Sequence, residues 1–377
     1  MTKVLVTGGA GFIGSHLVDA LVKMGDEVVV IDALLPQVHE SKPDYLNPSA
    51  DYVFSDLRDP KALDRVLPGA KVVYHLAAAV GIGQSMYEPR QYIEANSLAT
   101  AILLQKIIDR PHRPEKLVVA SSMSIYGEGS YSCTNCGPVY PSVRTPERMR
   151  VGEWEVPCPN CGRSTGPLPT TEEKPLSPQS VYAVSKRDQE ELSLSVGRAF
   201  SLPTVALRFF NVYGSRQALS NPYTGVCAIF QSRLQNGARP VVFEDGRQSR
   251  DFVAVEDVVK ALMRAGGSDK ADFQSINIGA GRSAEIVDVA RILARLNGVT
   301  IEPEVTGQFR PGDVRHCFAD ISKARGLLGF EPAVPLERGL AKFVEWSRSE
   351  RPKDRFDSAI SELAARGLLT SPDVSRK

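Results

Sequence analysis

Long apolar runs and a strong net charge are both missing from this sequence. Its 377 residues carry 45 Lys and Arg against 44 Asp and Glu, so the formal net charge is +1. No apolar run approaches the roughly 20 residues of a membrane span. The chain enters a short apolar stretch at residues 3–6 without the basic and apolar regions of a signal peptide. We therefore expect a cytoplasmic protein with neither a membrane nor a nucleic-acid partner.

Cysteine is also scarce, and it is unevenly distributed. Four of the six cysteines form two near-copies of one motif, with the spacing Cys-x2-Cys-x21-Cys-x2-Cys. In a reducing compartment this spacing favours one structural zinc ion held by four thiolates, although two disulfides are an alternative. With four protein ligands the zinc would have no open position for catalysis. The predicted ligands are Cys133, Cys136, Cys158 and Cys161.

Glycine, by contrast, is concentrated in a phosphate-binding pattern at the N-terminus. An apolar strand leads into Thr-Gly-Gly-Ala-Gly-Phe-Ile-Gly over residues 7–14, and a helical pattern follows. Gly8 permits a tight turn, Gly11 lets the backbone approach a pyrophosphate, and Gly14 lets helix and strand pack closely. The next strand ends in Asp32, whose carboxylate would bind ribose hydroxyls and repel a 2′-phosphate. The pattern predicts NAD rather than NADP.

Two later strand ends extend the predicted NAD site. The strand over residues 51–56 ends in an acid that could reach the adenine edge, and the strand over 72–78 ends in small residues that leave room for a cofactor. The predicted contacts are Gly8, Gly11, Phe12, Ile13, Gly14, Asp32, Asp56, Leu57, Leu76, Ala77 and Ala78.

Apolar runs and helical patterns alternate through the first half of the chain, with further strands at 116–122 and 204–209 and helices at 92–108 and 181–200. This alternation predicts an α/β fold with a doubly wound parallel (Rossmann) sheet, whose ligands bind at the carboxyl ends of the strands.

The alternation loosens after residue 212, where Pro, Gly and polar residues increase, so we expect a second, smaller domain. The predicted organisation is an NAD-binding domain over 1–212 with a zinc-binding insertion at 128–170, a substrate-binding domain over 213–350 from which 250–258 returns to the first domain, and a C-terminal helical extension over 351–377. The amphipathic stretch 354–369 in that extension carries no recognisable chemistry.

A tyrosine and a lysine provide the catalytic signal. Tyr182 and Lys186 are four residues apart on a predicted helix, which places the phenol and the ammonium on one face. Tyrosine titrates near pH 10, and an adjacent cation favours the phenolate, which would then be a base near neutral pH. An amphipathic helix surface is the alternative interpretation, but the serine-rich end of strand 116–122 and the dinucleotide pattern favour catalysis.

At this point the chain resembles the extended short-chain dehydrogenase/reductase family, in its nucleotide-sugar epimerase and dehydratase branch, over roughly residues 2–350. The likeness rests on the glycine motif, Asp32, the serine segment, the Tyr and Lys pair and the stretch 208–214. It implies that Tyr182 is the base, that Lys186 holds the nicotinamide ribose and that Ser122 binds the reacting sugar hydroxyl. Ser124 is the second candidate for that serine.

The resemblance also implies substrate contacts and an assembly. Asn211 would contact the diphosphate of a nucleotide sugar, and Arg250 and Arg310 would clamp its phosphates with planar guanidinium groups. For both arginines a solvated surface charge is the alternative. Gln84 and Tyr223 complete the predicted substrate site. The family likeness further suggests a homodimer formed through the helices near 92–108 and 181–200.

Two positions depart from the family pattern and narrow the chemistry. Sugar 4,6-dehydratases carry Asp-Glu after the catalytic Ser or Thr, and decarboxylating members carry a glutamate at the second of these two positions. This chain has Met123 and Ser124 there, so it lacks both carboxyl groups. Reversible oxidation at one carbon remains, which is the chemistry of a 4-epimerase with no net redox change. A one-way 4-ketosugar reductase is an alternative, as is a binding protein that recruits a partner through a zinc ribbon.

The insertion between Tyr126 and Tyr182 narrows the resemblance further. We expect residues 128–170 to be a metal-pinned flap over or next to the active site. Together with the segments 84–87 and 220–225, the insertion resembles the subgroup of dTDP-L-rhamnose 4-epimerases. Because fold does not fix function, UDP-glucose, UDP-glucuronate and other deoxysugar nucleotides remain alternative substrates.

Overall fold

A seven-stranded parallel sheet forms the centre of the computed structural model, which describes residues 1–373. From one edge to the other, the strands lie in the order β13-β9-β5-β4-β1-β2-β3. The chain adds strands first on one side of β1 and then on the other, as in a doubly wound fold. These strands are β1 (Lys3–Thr7), β2 (Glu27–Asp32), β3 (Asp51–Phe54), β4 (Val72–His75), β5 (Lys116–Ser122), β9 (Thr204–Phe209) and β13 (Ser275–Ile278). The predicted α/β fold class is confirmed.

Helices cover both faces of this sheet. Alternate residues of β1 point into different cores. Val4 and Val6 pack with the helices over residues 12–23 and 255–267, whereas Leu5 packs with the helices over residues 60–66 and 99–108. The helices of this domain are α1 (Phe12–Lys23), α2 (Pro60–Val66), α3 (Ile82–Ser85), α4 (Pro89–Tyr92), α5 (Ala99–Ile108), α7 (Val181–Ala199), α9 (Val255–Gly267) and α11 (Ser322–Leu328). The helix predicted over 92–108 is divided, because a π-helical segment, Ile93–Leu98, joins α4 to α5.

A smaller unit contains the remaining strands of the second half. In it β12 pairs in parallel with β10 and β16 and antiparallel with β14. The strands are β10 (Asn211–Tyr213), β11 (Val241–Val242), β12 (Ser249–Ala254), β14 (Ser283–Glu285), β15 (Glu304–Val305) and β16 (His316–Cys317). Helices α8 (Val226–Gln235), α10 (Ile286–Leu296) and α12 (Leu336–Ser347) enclose its core.

The predicted return of 250–258 to the first domain needs correction. The strand in this segment, β12, belongs to the small sheet, and the strand that returns to the large sheet is β13, paired with β9 from Ser275 opposite Ala206. The segment still packs on the first domain, since Val253 of β12 and Val258 of α9 lie in the core beneath α1. The short Ser-Ile-Asn-Ile sequence of β13 gives little sign of a central-sheet strand.

The two additions to this frame are both ordered. The insertion contains an antiparallel three-stranded sheet of order β7-β6-β8, built from β6 (Ser130–Cys133), β7 (Gly137–Val139) and β8 (Thr165–Leu168), and a short helix α6 (Pro146–Arg150). The C-terminal extension contains α13 (Phe356–Ala365); residues 374–377 of the predicted extension lie outside the described residues. None of the helices in residues 1–373 has the length and apolar character needed to cross a bilayer.

Candidate active site

The turn between β1 and α1 has the geometry of a phosphate cradle. Gly8 has φ +72°, and a Cβ there would lie 2.8 Å from the Ala77 nitrogen. A Cβ on Gly14 would lie 2.1 Å from the Gly8 oxygen, so no larger side chain fits. Gly11 caps α1 without a side-chain hydrogen bond, and the first turn has no acidic residue. The helix N-terminus is therefore suited to an anion such as the pyrophosphate of NAD.

Asp32 is fixed at the end of β2 beside this turn. Its Oδ2 accepts a hydrogen bond of 2.9 Å from the Ala10 N–H, and its Oδ1 accepts one of 2.9 Å from the Leu34 N–H. These bonds orient the carboxylate at the cavity wall, as binding of the ribose hydroxyls requires. At the end of β3, the carboxylate of Asp56 accepts hydrogen bonds of 2.8–3.0 Å from Arg58.

One large cavity, of about 560 Å³, joins the cofactor turn to the second domain. With one exception, every non-metal site residue expected from the sequence lines it. These residues are Gly8, Gly11, Phe12, Ile13, Gly14, Asp32, Asp56, Leu57, Leu76, Ala77, Ala78, Ser122, Ser124, Tyr182, Lys186, Asn211, Tyr223, Arg250 and Arg310.

Helix α7 carries the Tyr and Lys pair into this cavity. Ser180 caps the helix by accepting a hydrogen bond from the Ala183 N–H at 3.1 Å. Lys186 is buried and donates to the Ala120 carbonyl at 2.5 Å and to Gln189 Oε1 at 2.7 Å. Burial lowers the pKa of Lys186 to about 7, although the negative charge of Glu190 partly opposes this shift. Burial likewise raises the pKa of Tyr182, and a hydrogen bond with Ser122 opposes that shift.

The hydrogen bonds of the two candidate serines distinguish one from the other. Ser122 Oγ accepts bonds from the Ser124 N–H at 3.2 Å and from the Ser124 hydroxyl at 2.9 Å. Since Ser124 supplies the two hydrogen bonds that Ser122 Oγ accepts, the Ser122 hydroxyl proton is directed away from Ser124, on the side of Tyr182, with which Ser122 also forms a hydrogen bond. The geometry favours Ser122 as the group that binds the reacting hydroxyl and Ser124 as its support.

At the other end of the cavity, Arg250 and Arg310 share one carboxylate. Arg310 Nη2 lies 2.7 Å from Asp313 Oδ2, and Arg250 Nη2 lies 3.5 Å from Asp313 Oδ1. Burial of Asp313 would raise its pKa, but Arg310 and Arg250 outweigh that effect and lower the pKa to about 2. Neither guanidinium is a free surface charge. Nearby, the buried Oδ1 of Asn211 has no hydrogen-bond partner within residues 1–373, as expected of a group that a ligand would satisfy.

The exception is Gln84, which does not line the cavity. Its Oε1 accepts hydrogen bonds from the Tyr92 hydroxyl at 2.9 Å and from Gln37 Nε2 at 2.7 Å, and its Nε2 donates to Glu88 at 3.0 Å. Helix α3 turns this side chain inward, where both its amide oxygen and its amide nitrogen have hydrogen-bond partners. The structure therefore places Gln84 behind the cavity wall, and its contact with a substrate stays a prediction.

Known proteins resemble this chain along nearly its whole length. The NAD dependent epimerase/dehydratase family model matches residues 4–144, and the GDP-mannose 4,6 dehydratase model matches residues 162–343. The dTDP-L-rhamnose 4-epimerase of Burkholderia thailandensis is 35% identical over 357 residues, which cover 92% of this chain and 95% of that protein. The chain belongs to the NAD-dependent epimerase/dehydratase family.

Solved structures agree with this assignment. The UDP-glucose 4-epimerase of Thermotoga maritima, in complex with UDP-glucose, superimposes with a TM-score of 0.75 at 31% identity, covering 92% of this chain and 99% of that one. The UDP-glucuronic acid 4-epimerase of Bacillus cereus, in complex with UDP-glucuronic acid and NAD, gives 0.75 at 27% identity, covering 93% and 100%. The chain is an NAD-dependent nucleotide-sugar epimerase, and the predicted enzyme class is confirmed.

The cysteine pairs of this family member come together in the insertion. The four sulfurs all lie within 4.8 Å of one another, and Cys133 Sγ is 3.6 Å from Cys161 Sγ. None of the four is in a disulfide. Gly137 and Gly162, which follow the two motifs, both have φ +72°, so the knuckles share one backbone conformation. Four thiols at these separations fit the tetrahedral ligand set of zinc, whose Zn–S distance is about 2.3 Å.

The insertion does not cover the cavity. Between residues 128 and 170 no side chain contributes to its lining, and the insertion packs instead against residues 310–317. Arg144 forms a buried ion pair with Glu244 at 2.7 Å and donates to the Asp313 carbonyl at 3.1 Å. Arg315 is fully buried and lies 2.6 Å from Glu155 of the insertion. The insertion therefore contacts the outer side of the segment that carries Arg310.

The C-terminal helix, in contrast, lines the cavity. Phe356, Ala359, Ile360 and Leu363 form part of its wall. The sequence pattern identified this stretch as amphipathic and without recognisable chemistry, and it did not predict that the stretch lines the cavity. The spacing i, i+3, i+4, i+7 marked the buried face; it could not show that the face borders a ligand cavity.

Proposed function

We propose that this epimerase inverts C4 of dTDP-L-rhamnose through a transient 4-keto sugar. One observation carries the chemistry: Ser122, Tyr182 and Lys186 line one cavity with the cofactor turn. Met123 and Ser124 occupy the positions at which a dehydratase or decarboxylase would need carboxyl groups. The 35% identical dTDP-L-rhamnose 4-epimerase supports the choice of substrate.

In this proposal the protein moves one proton and holds one oxygen. NAD, held by the β1–α1 turn and Asp32, would supply the hydride acceptor for the sugar and the hydride donor for its keto form. Tyr182 takes the proton from the C4 hydroxyl, while Ser122 donates a hydrogen bond to that oxygen and Lys186 favours the phenolate form of the tyrosine. The flat keto sugar turns, and Tyr182 returns the proton after reduction on the other face. Arg250 and Arg310 hold the diphosphate during this turn.

The substrate is tested with a panel of nucleotide sugars. Purified protein is incubated with dTDP-L-rhamnose, UDP-glucose and UDP-glucuronate, and C4 configuration is followed by NMR. We expect the highest kcat/KM for dTDP-L-rhamnose, with copurifying NAD and no net formation of NADH. Stoichiometric release of oxidised cofactor from added NADH would instead identify a 4-ketosugar reductase, and a higher kcat/KM for either UDP-sugar would reassign the substrate.

We further propose that the insertion holds one structural zinc ion on Cys133, Cys136, Cys158 and Cys161. The support is the clustering of the four sulfurs in matched knuckles. Elemental analysis should find one zinc per chain. A metal-free protein with the insertion still ordered would contradict this assignment.

A homodimer is also proposed, through the helical region 92–108 and α7. Large apolar side chains remain more than a third exposed along α7 and along the π-helical segment that leads into α5, and such exposure favours a partner surface. They are Ile93, Leu98, Val184 and Leu192. Light scattering should give twice the 41.0 kDa chain mass, and Leu98→Arg should shift the protein to monomers.

A further inference from the structure

The C-terminal extension bridges the two sides of the cavity. At its start, Asp354 and Asp357 lie 3.3 and 2.8 Å from Arg233 of α8, in the second domain. Towards its end, the Arg366 guanidinium lies 4.4 Å from the centre of the Tyr87 ring, in the first domain. Helix α13 therefore spans the cleft between the domains, with its apolar face toward the cavity.

The far end of this helix lies close to the catalytic tyrosine. A Cβ placed on Gly83 would be 3.2 Å from Leu363, so the leucine packs directly on α3. Ser85 in the same short helix accepts a hydrogen bond of 3.0 Å from the Tyr182 N–H. One short helix thus separates Leu363 from the start of α7, where Tyr182 must reach the C4 oxygen of the sugar.

The chemistry of this wall is uniformly apolar. Ala359 and Leu363 are buried, and Ile360 is half-buried facing the cavity. None of the three side chains can donate or accept a hydrogen bond. A hydroxyl or carboxylate pressed against them would lose water without a replacement partner, whereas a methyl group would gain from burial.

We propose that α13 is a wall of the sugar subsite, and that Ile360 and Leu363 select a sugar whose C5 substituent is a methyl group. C5 is the ring neighbour of C4, so its substituent is among the groups closest to the position that Tyr182 must address. This inference rests on the proposed function, because it identifies the wall that distinguishes a 6-deoxyhexose from its 6-hydroxy counterpart.

The test compares Ile360→Ser with Ala364→Ser in the full-length chain. Ala364 is exposed one turn along the same helix and is a matched control. For each protein, kcat and KM are measured with dTDP-L-rhamnose and with dTDP-L-mannose, which differs only in a C6 hydroxyl. Calorimetry gives the affinity for dTDP alone, and the NAD content reports on the cofactor site.

Ile360→Ser should reduce the kcat/KM preference for the 6-deoxy sugar by about tenfold, mainly through KM. Affinity for dTDP, the NAD content and the Ala364→Ser kinetics should stay at wild-type values. Equal loss of affinity for dTDP and for the dTDP-sugar, an unchanged preference, or the same change in Ala364→Ser would overturn the proposal.

Failure of the proposed function gives a different result. If wild-type protein does not epimerise dTDP-L-rhamnose, the substrate assignment is lost, but α13 can still be tested on the nucleotide sugar that wild type does convert. A change in the KM of that sugar in Ile360→Ser, without a change in affinity for its free nucleotide, would retain the wall and reassign its selectivity. An unchanged KM would remove α13 from the sugar subsite.

Discussion

Two segments add to the common epimerase frame in this chain, and they relate to the active site in opposite ways. The insertion over residues 128–170 has two cysteine knuckles and a buried ionic contact surface, yet none of its residues lines the cavity. The C-terminal extension has no polar motif, yet four residues of α13 form part of the cavity wall. The segment with the conspicuous motif therefore lies outside the cavity here, and the inconspicuous helix lines it.

The contacts of the insertion explain what it can do from outside the cavity. Glu128 accepts hydrogen bonds from the backbone N–H groups of Arg315 and His316, and Arg144 donates to the Asp313 carbonyl. Asp313 in turn holds the guanidinium groups of Arg250 and Arg310. The insertion supports the segment that carries Arg310 and Asp313, and through Asp313 it is connected to Arg250. Its effect should fall on substrate affinity, whereas a change at the reacting group should fall on turnover.

Tyr182→Phe should have the largest effect on turnover. The effects of variants in the insertion and in α13 are compared with it. The ring is kept and the proton acceptor is removed, so NAD binding should survive while kcat falls at least about a hundredfold. The measurement is steady-state epimerisation together with the NAD content of the purified variant. Near-normal turnover would show that Tyr182 is not the base. The closeness of α13 to Tyr182 would then no longer place α13 near the reacting carbon.

Cys158→Ser tests the insertion and should have an intermediate effect. Loss of one thiolate should release the metal and loosen the knuckles, which enclose few apolar side chains of their own. The buried pairs of Arg144 and Arg315 should keep the remainder docked, so the change should be local. We expect KM for the nucleotide sugar to rise about tenfold, with kcat and NAD content nearly unchanged.

Asn160→Ser is the matched control for that variant, since Asn160 is exposed in the same knuckle and offers no thiolate. It should retain zinc and normal kinetics. Hydrogen exchange should show increased opening near the knuckles in Cys158→Ser alone. Unchanged kinetics in a zinc-free Cys158→Ser protein would show that the insertion does not support the substrate site.

The sequence and the structure agree best where chemistry requires particular residues at particular spacings. The glycine turn, Asp32 and the Tyr182 helix were predictable because backbone approach, a fixed carboxylate and a helical pair each constrain residue type. The position of Gln84 behind the cavity wall was not predictable, because a glutamine serves a substrate or an internal hydrogen-bond network equally well. The partner of α13 was not predictable, since periodicity shows which face is buried and does not show what it is buried against.

Asp313 connects the insertion to the arginine pair and gives a pH-dependent prediction. Its pKa is about 2 in the folded protein and about 3.9 when unfolded. The unfolded chain therefore binds more protons between these values, and stability falls as pH drops from about 4 to about 2. The charged form should contribute about 2–3 kcal/mol to the free energy of unfolding above that range.

Urea unfolding of wild type and Asp313→Asn tests this contribution. The variant should be less stable near neutral pH, and the difference should shrink as the pH is lowered from about 4. Asp320→Asn is a control, because Asp320 is a carboxylate of the same region whose side chain accepts only a local backbone hydrogen bond from Ser322. A difference that does not change with pH would show that the effect of Asp313→Asn comes from packing rather than from its charge.

The smallest expected effect is the coupling between the two additions. Within residues 1–373 a main-chain hydrogen bond joins them, from the Asp373 N–H to the Arg150 carbonyl at 3.0 Å, and it involves neither Ile360 nor Cys158. The changes in log KM of Ile360→Ser and Cys158→Ser should therefore add in the double variant to within about 0.5 kcal/mol, or roughly a factor of two. A larger coupling would mean that the insertion positions α13 itself. The insertion and α13 would then act together on the substrate site, and the contrast between the two segments would no longer hold.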